Sequence, residues 1–518
     1  MAHDLLIRNA RPVRIDRADP MSGDAVGEPM DLRIRDGLVV EMAPGLPEDG
    51  ARILDAEGRW VVPGLWDHHV HMIQWARTLT WLDLAGTRGP GEVVTRVKSA
   101  LAESTAQVLT GFGFRSAAWS VQPTVAELDA VSGSRPVVLI SGDGHNGWLN
   151  SAALAMLGVP PRDTALDEFD WFPVFARLEE LPRDAKADDA AYREAVRRAS
   201  AKGIVGITDM EFGRGFADWP ERAATGITGL RVRAATYPAT LDEVIERGLR
   251  TGDPLSEGDP LLTMGPLKII SDGSLNTRTA YCCEPYVDEP TSRGKLNVPP
   301  AELTDLLARA TAHGLAVAVH AIGDAAVSAA LDAFAATGAR GSIEHAQLMA
   351  HPDIARMGAL GVTASVQPAH LLDDRDVTER CWPDRADRCF PLRSLLAAGV
   401  TLAMGSDAPV APLDPWLAMA AAVHRSADER PAWHPQEAVT PAEALAASTF
   451  GAGTVGEGSR ADLVLVDDDP LAPAGDTVGG DRAGGDSAGG DSAGAAAQLR
   501  HTRVSVTLVD GEVTYDGR

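Results

Sequence analysis

Six side chains able to bind a metal ion or move a proton stand in short apolar runs of this chain. His69 and His71 lie in VVPGLWDHHVHM, Lys268 in GPLKII, His320 at the end of LAVAVH, His345 at the end of SIEH, and Asp407 in AMGSD. On a β-strand, residues two apart point the same way, so both imidazoles of His69 and His71 would project from one face. Imidazole is a common ligand of Zn²⁺ and similar ions. A lysine among apolar neighbours is costly unless it is paired, deprotonated or modified. The small residues before Asp407 let backbone come close to a site. Each residue alone has a plain alternative: a hydrogen-bonded core histidine, or an aspartate capping a helix. Together, at successive strand ends, they predict a metal centre for hydrolytic chemistry.

The elements that must carry these groups read as alternating strands and helices. The strand candidates are VVPGLWDHHVH, GIVGITDME, LRVRAATY, LLTMGPLKII, LAVAVHAI, GSIEHA, GVTASVQP and GVTLAMGSDA. Helical runs such as AELTDLLARATAHG and PLRSLLAAG, closed by Gly, separate several of them. Eight strands in that rhythm predict an α/β fold, a (β/α)₈ TIM barrel, whose catalytic groups sit at the C-terminal strand ends. Short strands with Asp-Gly turns at both ends of the chain predict a small β-sandwich built from the two termini. The expected division is residues 1–62 and 451–518 for the sandwich and 63–450 for the barrel. An insertion at about 73–200, too long for one crossover and containing the strand-like PVVLISGD, should lie over the barrel mouth. The Gly/Asp/Ala-rich stretch 474–498 reads as a flexible, disordered loop.

Composition narrows the class. A 518-residue chain with 45% hydrophobic and 23% charged residues is an ordinary globular protein. A net charge of −26 argues against sequence-independent binding to nucleic acid or anionic membranes. The N-terminal residues lack the pattern of a secretory signal, and no apolar run is long enough to span a bilayer. Four cysteines are too few for a disulfide scaffold, and none has zinc-site spacing. A cytoplasmic enzyme is expected. Its partner is a small molecule, with no nucleic acid and no membrane, and the sequence leaves room for a homo-oligomer.

Beyond single residues, longer strings resemble one family. PGLWDHHVH, DGHNGWLNSAAL, LKIISDGSLNTRTA, VHAIGDAAV, IEHAQ, SVQPAH and GSDAPVAPLDPW together resemble the amidohydrolase superfamily. The match is to its Amidohydro_3 or YtcJ-like branch, which includes N-substituted formamide deformylases. The resemblance covers nearly the whole chain. It implies that His69 and His71 hold one divalent ion and His320 and His345 another, with Lys268 carbamylated and bridging the two. Asp407 would bind metal and carry the proton. Zinc is the expected ion, one or two per chain. The string departs from the family at His68, where relatives carry a small residue, and at Asn276, where they carry glycine.

The activity implied is cleavage of a C–N bond in a small amide, such as an N-substituted formamide or other N-acyl amine, by metal-activated water. The same metal set also serves lactone, ester or phosphotriester hydrolysis and decarboxylation. A non-catalytic scaffold would have lost ligands, and all six positions are filled. For substrate contact the candidates are His145 and Trp148 (beside Asn146) in the insertion, Asp272 and Arg278 after Lys268, and His370 in QPAH. Arg278 is either a carboxylate clamp or half of a structural Arg–Asp pair. Trp66, Trp75 and Trp81 are either pocket walls or plain core.

Overall fold

In a computed structural model, residues 4–15, 27–116, 119–175, 177–182, 185–472 and 488–518 are described. Eight parallel strands form a nearly closed barrel, each preceded or followed by helices. They are β1 (Leu65–Val70), β2 (Ile204–Asp209), β3 (Arg231–Thr236), β4 (Asp259–Ile270), β5 (Val317–Ala321), β6 (Gly341–His345), β7 (Thr363–Val366) and β8 (Leu402–Met404). Hydrogen-bonded order follows chain order from β1 to β8. All eight apolar runs named from the sequence therefore become barrel strands. Their residues, such as Ile269, Val319, Ile343 and Ala364, are buried together with the inner faces of helices Pro300–Ala312 and Asp324–Thr337. Burial on both faces explains why these runs are continuous rather than alternating.

The first run divides in two. Trp60–Pro63 pairs antiparallel with Leu463–Val466 near the other end of the chain, and only Leu65–Val70 enters the barrel. Gly64 makes the break, because a Cβ there would meet the Val205 side chain at 2.3 Å. Around this pairing the terminal segments build a separate sheet of eight strands among the described residues. Leu5–Pro12 belongs to both of its halves: its start pairs with Met30–Arg35 and Arg52–Asp55, its end with Trp60–Pro63. Leu5, Ile7, Leu32, Val61, Leu463 and Leu508 from the two halves share one apolar core, as a sandwich requires.

Residues 72–195, with 408–410, form a compact unit of their own. Its sheet runs Gly147–Leu149, Val137–Ser141, Leu109–Phe114, Leu82–Asp83. Trp148 lies fully buried in that unit against Phe114. A capping box between Thr124 and Glu127 opens helix Val125–Ser132.

One expectation fails. Within the stretch 474–498 read as a loop, residues 488–498 belong to a helix, Ala488–His501. Ala496 and Leu499 are buried in the barrel's core cluster, and the helix lies along Pro415–His424. The run AGAAAQLRH supplies the reason: alanine is the strongest helix former, and one leucine gives the helix an anchor. Residues 474–487 lie outside the described residues. Among the described residues, no helix is long and apolar enough to cross a membrane.

Candidate metal centre

At the C-terminal ends of the barrel strands, five elements bring the predicted ligands together. His69 lies in β1 and His71 one residue past it; Lys268 lies in β4, His320 in β5, His345 at the last position of β6, and Asp407 three residues beyond β8. Ligand atoms of His69, His345 and Asp407 all fall within 4.8 Å of one another. Lys268 Nζ lies 3.1 Å from His69 Nε2. The Asp407 carboxylate is 3.4 Å from Nε2 of both His69 and His71. The His320 and His345 rings meet edge to face at 4.5 Å. His370, the first residue of helix His370–Cys381, joins from the side, with Nε2 3.8 Å from Asp407.

Two of these side chains are aimed by a bent backbone. His345 (φ 71°) and Asp407 (φ 57°) take the left-handed conformation, and so does Ala346 (φ 43°). Non-glycine residues enter that region at a cost of about 1–2 kcal/mol, so the surrounding structure must hold them there. For Asp407 the holding group is Asp67. Its carboxylate accepts the backbone N–H of Ser406 (3.0 and 3.1 Å) and of His69 (3.0 Å), and the Asp407 N–H donates to the His69 carbonyl at 2.6 Å. This carboxylate and the Asp407–His69 backbone bond together join β1 to the end of β8. Glycine is required at 405, where a Cβ would stand 2.6 Å from the His69 nitrogen. Burial pushes the Asp67 carboxyl up to about 6, against the hydrogen bonds it receives.

Second contacts fix which imidazole nitrogen is available. His69 Nδ1 lies 2.6 Å from the Glu344 carboxylate, whose other oxygen accepts from Ser342. A proton on Nδ1 satisfies that bond and leaves the Nε2 lone pair toward Lys268 and Asp407. His320 Nε2 lies 3.2 Å from the Gly273 carbonyl and 3.5 Å from Asp272. There a proton on Nε2 leaves Nδ1 as the lone-pair nitrogen. Nδ1 of His71 and Nδ1 of His345 are buried with no hydrogen-bond partner among the described residues.

The electrostatics suit a cation. Burial opposes ionisation of Asp407, yet His69, His71 and His345 hold its carboxyl well below the usual range. Burial likewise works against the Glu344 carboxylate, but the hydrogen bond from His69 brings it down to about 2. Burial pushes Lys268 below the usual amine range, with Glu344 and Asp407 pulling the other way. His345 is driven well below its ordinary value by burial and by His320. Against the pull of burial, Asp407 raises the His71 imidazole, while burial lowers that of His69; imidazole, carboxylate and amine groups together form the N/O donor set that divalent transition ions take. The residues present fit such an ion.

The substrate candidates divide. His370 stands at the cluster. Asp272 does not face a substrate: it is fully buried, and its carboxylate accepts the N–H of Tyr281, Ile322 and Gly323 at 2.9–3.1 Å. Arg278 is the structural pair of its two readings, donating to Asp288 at 2.8 Å and to the Asn276 carbonyl at 2.7 Å. Trp148 is core, with its indole N–H given to the Thr124 carbonyl. His145 belongs to the same unit, and its backbone N–H donates to Asp143. Trp66 is also core, bonded to Thr208 and stacked on Phe450 at 4.3 Å. Trp75 is buried on helix Met72–Thr78, and Trp81 packs against the core holding Trp171. His68 packs beside Trp66 and Phe450, and burial lowers its pKa to about 3, so it is a neutral spacer. The Asn276 amide, where glycine was expected, donates to Asp374 at 3.2 Å.

A barrel with this cluster at its C-terminal rim belongs to the metal-dependent hydrolase class of folds. The family model described as amidohydrolase family matches residues 52–515, and the chain belongs to that family. Among curated proteins, Protein LONG AFTER FAR-RED 3 of Arabidopsis thaliana is 30% identical, covering 89% of this chain and 87% of that protein. N-substituted formamide deformylase of Arthrobacter pascens is 27% identical over 91% of each. The crystal structure of an uncharacterized metal-dependent hydrolase from Pyrococcus furiosus superposes with a TM-score of 0.74 at 28% identity. That match covers 90% of this chain and 100% of the other.

Proposed function

We propose that this amidohydrolase cleaves the C–N bond of a small neutral amide, with N-substituted formamides as the substrate class. The observation that carries the reading is the convergence of His69, His345 and Asp407 within 4.8 Å. Lys268 contacts His69, and His71 contacts Asp407. The likeness to the Arthrobacter deformylase supports the choice of bond. His69, His71, His320, His345, Lys268 and Asp407 would hold one or two divalent ions, zinc in our proposal. A bound ion of this kind polarises a carbonyl and lowers the pKa of water.

The chain's own groups do the rest. Asp407, ionised at neutral pH, accepts the proton that water gives up as its oxygen bonds to the carbonyl carbon. When the C–N bond breaks, the same carboxylic acid returns that proton to the departing nitrogen. Amide and water thus become an acid and an amine, and Asp407 ends as it began. Asp67 keeps Asp407 beside His69 throughout, and Glu344 keeps His69 in one tautomer. His370 borders the outer oxygen of Asp407, where it can donate to a tetrahedral intermediate.

The test is a hydrolysis screen of metal-depleted and zinc-reconstituted protein on formamides, N-acyl amino acids, cyclic amides, lactones and phosphotriesters. Amine release from formamides only after reconstitution is the expected result. Turnover confined to lactones or phosphotriesters would overturn the C–N reading.

A further inference from the structure

At the N-terminal end of the barrel, opposite the ligand cluster, lies a cavity of about 420 Å³. It is bounded by Pro63 and Gly64, which lead into β1, and by the glycine-rich loop of residues 449–460. Val205, Phe450, Val455 and Leu463 give it apolar walls. The length of β1, roughly 16 Å, separates this end of the barrel from the metal cluster. Phe450 is the unusual member of the wall. It takes a left-handed backbone (φ 52°), which bulky residues avoid, and it is 36% exposed.

Over the Phe450 ring stands Arg233 of β3, its guanidinium carbon 5.1 Å from the ring centroid. Apart from that ring, the Arg233 side chain has no hydrogen bond or ion pair among the described residues. Two places earlier, Arg231 has what a structural arginine needs, donating to Asp462 at 2.7 Å and to Asp510 at 2.8 Å. Burial lowers the Arg233 guanidinium below its ordinary range, and no carboxylate pulls the other way. His68 also adjoins Phe450, but its neutral imidazole brings no counter-charge. Arg233, His68 and Phe450 all keep surface open where they meet. Of the cavity's own acids, Asp462 is held by Arg231 and Arg460, and Glu457 is exposed, accepting the Met42 N–H at 3.2 Å. Open space, apolar walls and a cation without a counter-charge are the parts of an anion site.

We propose that this cavity binds a small organic acid, its carboxylate paired with Arg233 beside Phe450 and its apolar body against Val205, Val455 and Leu463. A guanidinium fork matches a carboxylate in two parallel hydrogen bonds. The volume falls at the small end of ligand sites and suits a body the size of benzoate. The site needs neither metal nor turnover, so it stands apart from the hydrolytic reading.

Calorimetric affinities and denaturation midpoints of the full chain, zinc-loaded and metal-depleted, are measured in low-salt buffer with benzoate and with neutral benzamide. Benzoate should bind and raise the midpoint in both metal states, and benzamide should bind at least tenfold more weakly, because it lacks the charge. Arg233→Met keeps an apolar stem against Phe450 and should weaken benzoate by roughly tenfold to hundredfold, the scale of a charge-assisted pair. Arg233→Lys, which keeps the charge without the fork, should fall between the two. Without ligand, the Arg233→Met midpoint should equal or exceed the parent's, since a cation lacking its counter-charge has been removed. No binding of benzoate by the parent, or equal affinity for benzamide, overturns the proposal. So does binding lost on metal removal, which would put the carboxylate on the catalytic ion. An Arg233→Met protein that melts several degrees lower without ligand, or fails to fold, also overturns it, because the guanidinium would then already have its partner.

Discussion

Replacing Glu344 with Gln should weaken metal binding without unfolding the barrel. The carboxylate is fully buried, lies 2.6 Å from His69 Nδ1 and accepts a second bond from Ser342. Glutamine has the same shape, keeps one oxygen for His69, and offers Ser342 an amide that its hydroxyl can accept from. What disappears is the charge on the acceptor. A hydrogen bond to a buried charged group contributes about 1.5–3 kcal/mol, and a neutral one about 1 kcal/mol. The difference, ~0.5–2 kcal/mol, falls on the His69 tautomer that leaves Nε2 free, and at 1.4 kcal/mol per decade it lowers affinity by roughly 2–30-fold. The upper part of that range overlaps the 10–100-fold cost typical of losing the partner of a liganding histidine. Competition between protein and a chromogenic chelator gives the zinc affinity directly. Nitrogen-15 NMR of the imidazoles reports whether the proton remains on Nδ1. A variant that binds zinc as tightly as the parent, with the His69 tautomer scrambled, would show that the Glu344 contact does not set the site's affinity.

Three other outcomes are expected. Asp407→Asn should keep the fold and lose about 10²–10⁴-fold in turnover, because the amide cannot accept the proton; rates within a few-fold of the parent would remove that role. Leu499→Ala should destabilise the protein by about 2–5 kcal/mol, read as a lower denaturation midpoint, since the side chain is buried where helix Ala488–His501 meets the core; an unchanged midpoint would restore the loop reading. The Arg393 pair brings Glu443 down to about 2 from an ordinary 4.5. A depressed carboxyl stabilises fully above its unfolded value and loses that contribution as pH falls from about 4.5 toward 2. Acid unfolding of Glu443→Gln should therefore be less steep than the parent's across that window; identical profiles would contradict the pairing.

The convergence of the candidate ligands was legible in the sequence because each stands at or next to the end of a strand, and in a barrel such ends point at one place. Their partners were not. Glu344 adjoins His345, and strand alternation would send the two to opposite faces. The left-handed backbone at His345 cancels the alternation, so both reach His69. Nothing in IEHAQ announces that turn. Asp67 was hidden for another reason: its role depends on Ser406, 339 residues away, and short-range patterns carry no such information. Asp272 and Trp148, candidates for substrate contact in the sequence, are buried and bonded within the scaffold, a role that motif residues around a site take as often as contact with substrate. The Ala-rich tail of the glycine repeat was absorbed into its low-complexity neighbour, although its composition favours a helix.

The clasp between Asp67 and Ser406 also sets a timetable. During synthesis at about 5–20 residues per second, His69 leaves the ribosome roughly 20–70 s before Asp407. The strand Trp60–Pro63 waits longer still for Leu463–Val466. Residues 72–195, whose sheet and apolar cores are internal to that stretch, need wait for neither. For most of its production the nascent chain thus carries an open, edge-exposed half-barrel whose histidines have no assembled partners. A cation arriving then finds scattered imidazoles rather than a site, so metal loading belongs to the final seconds of the chain's birth or after it.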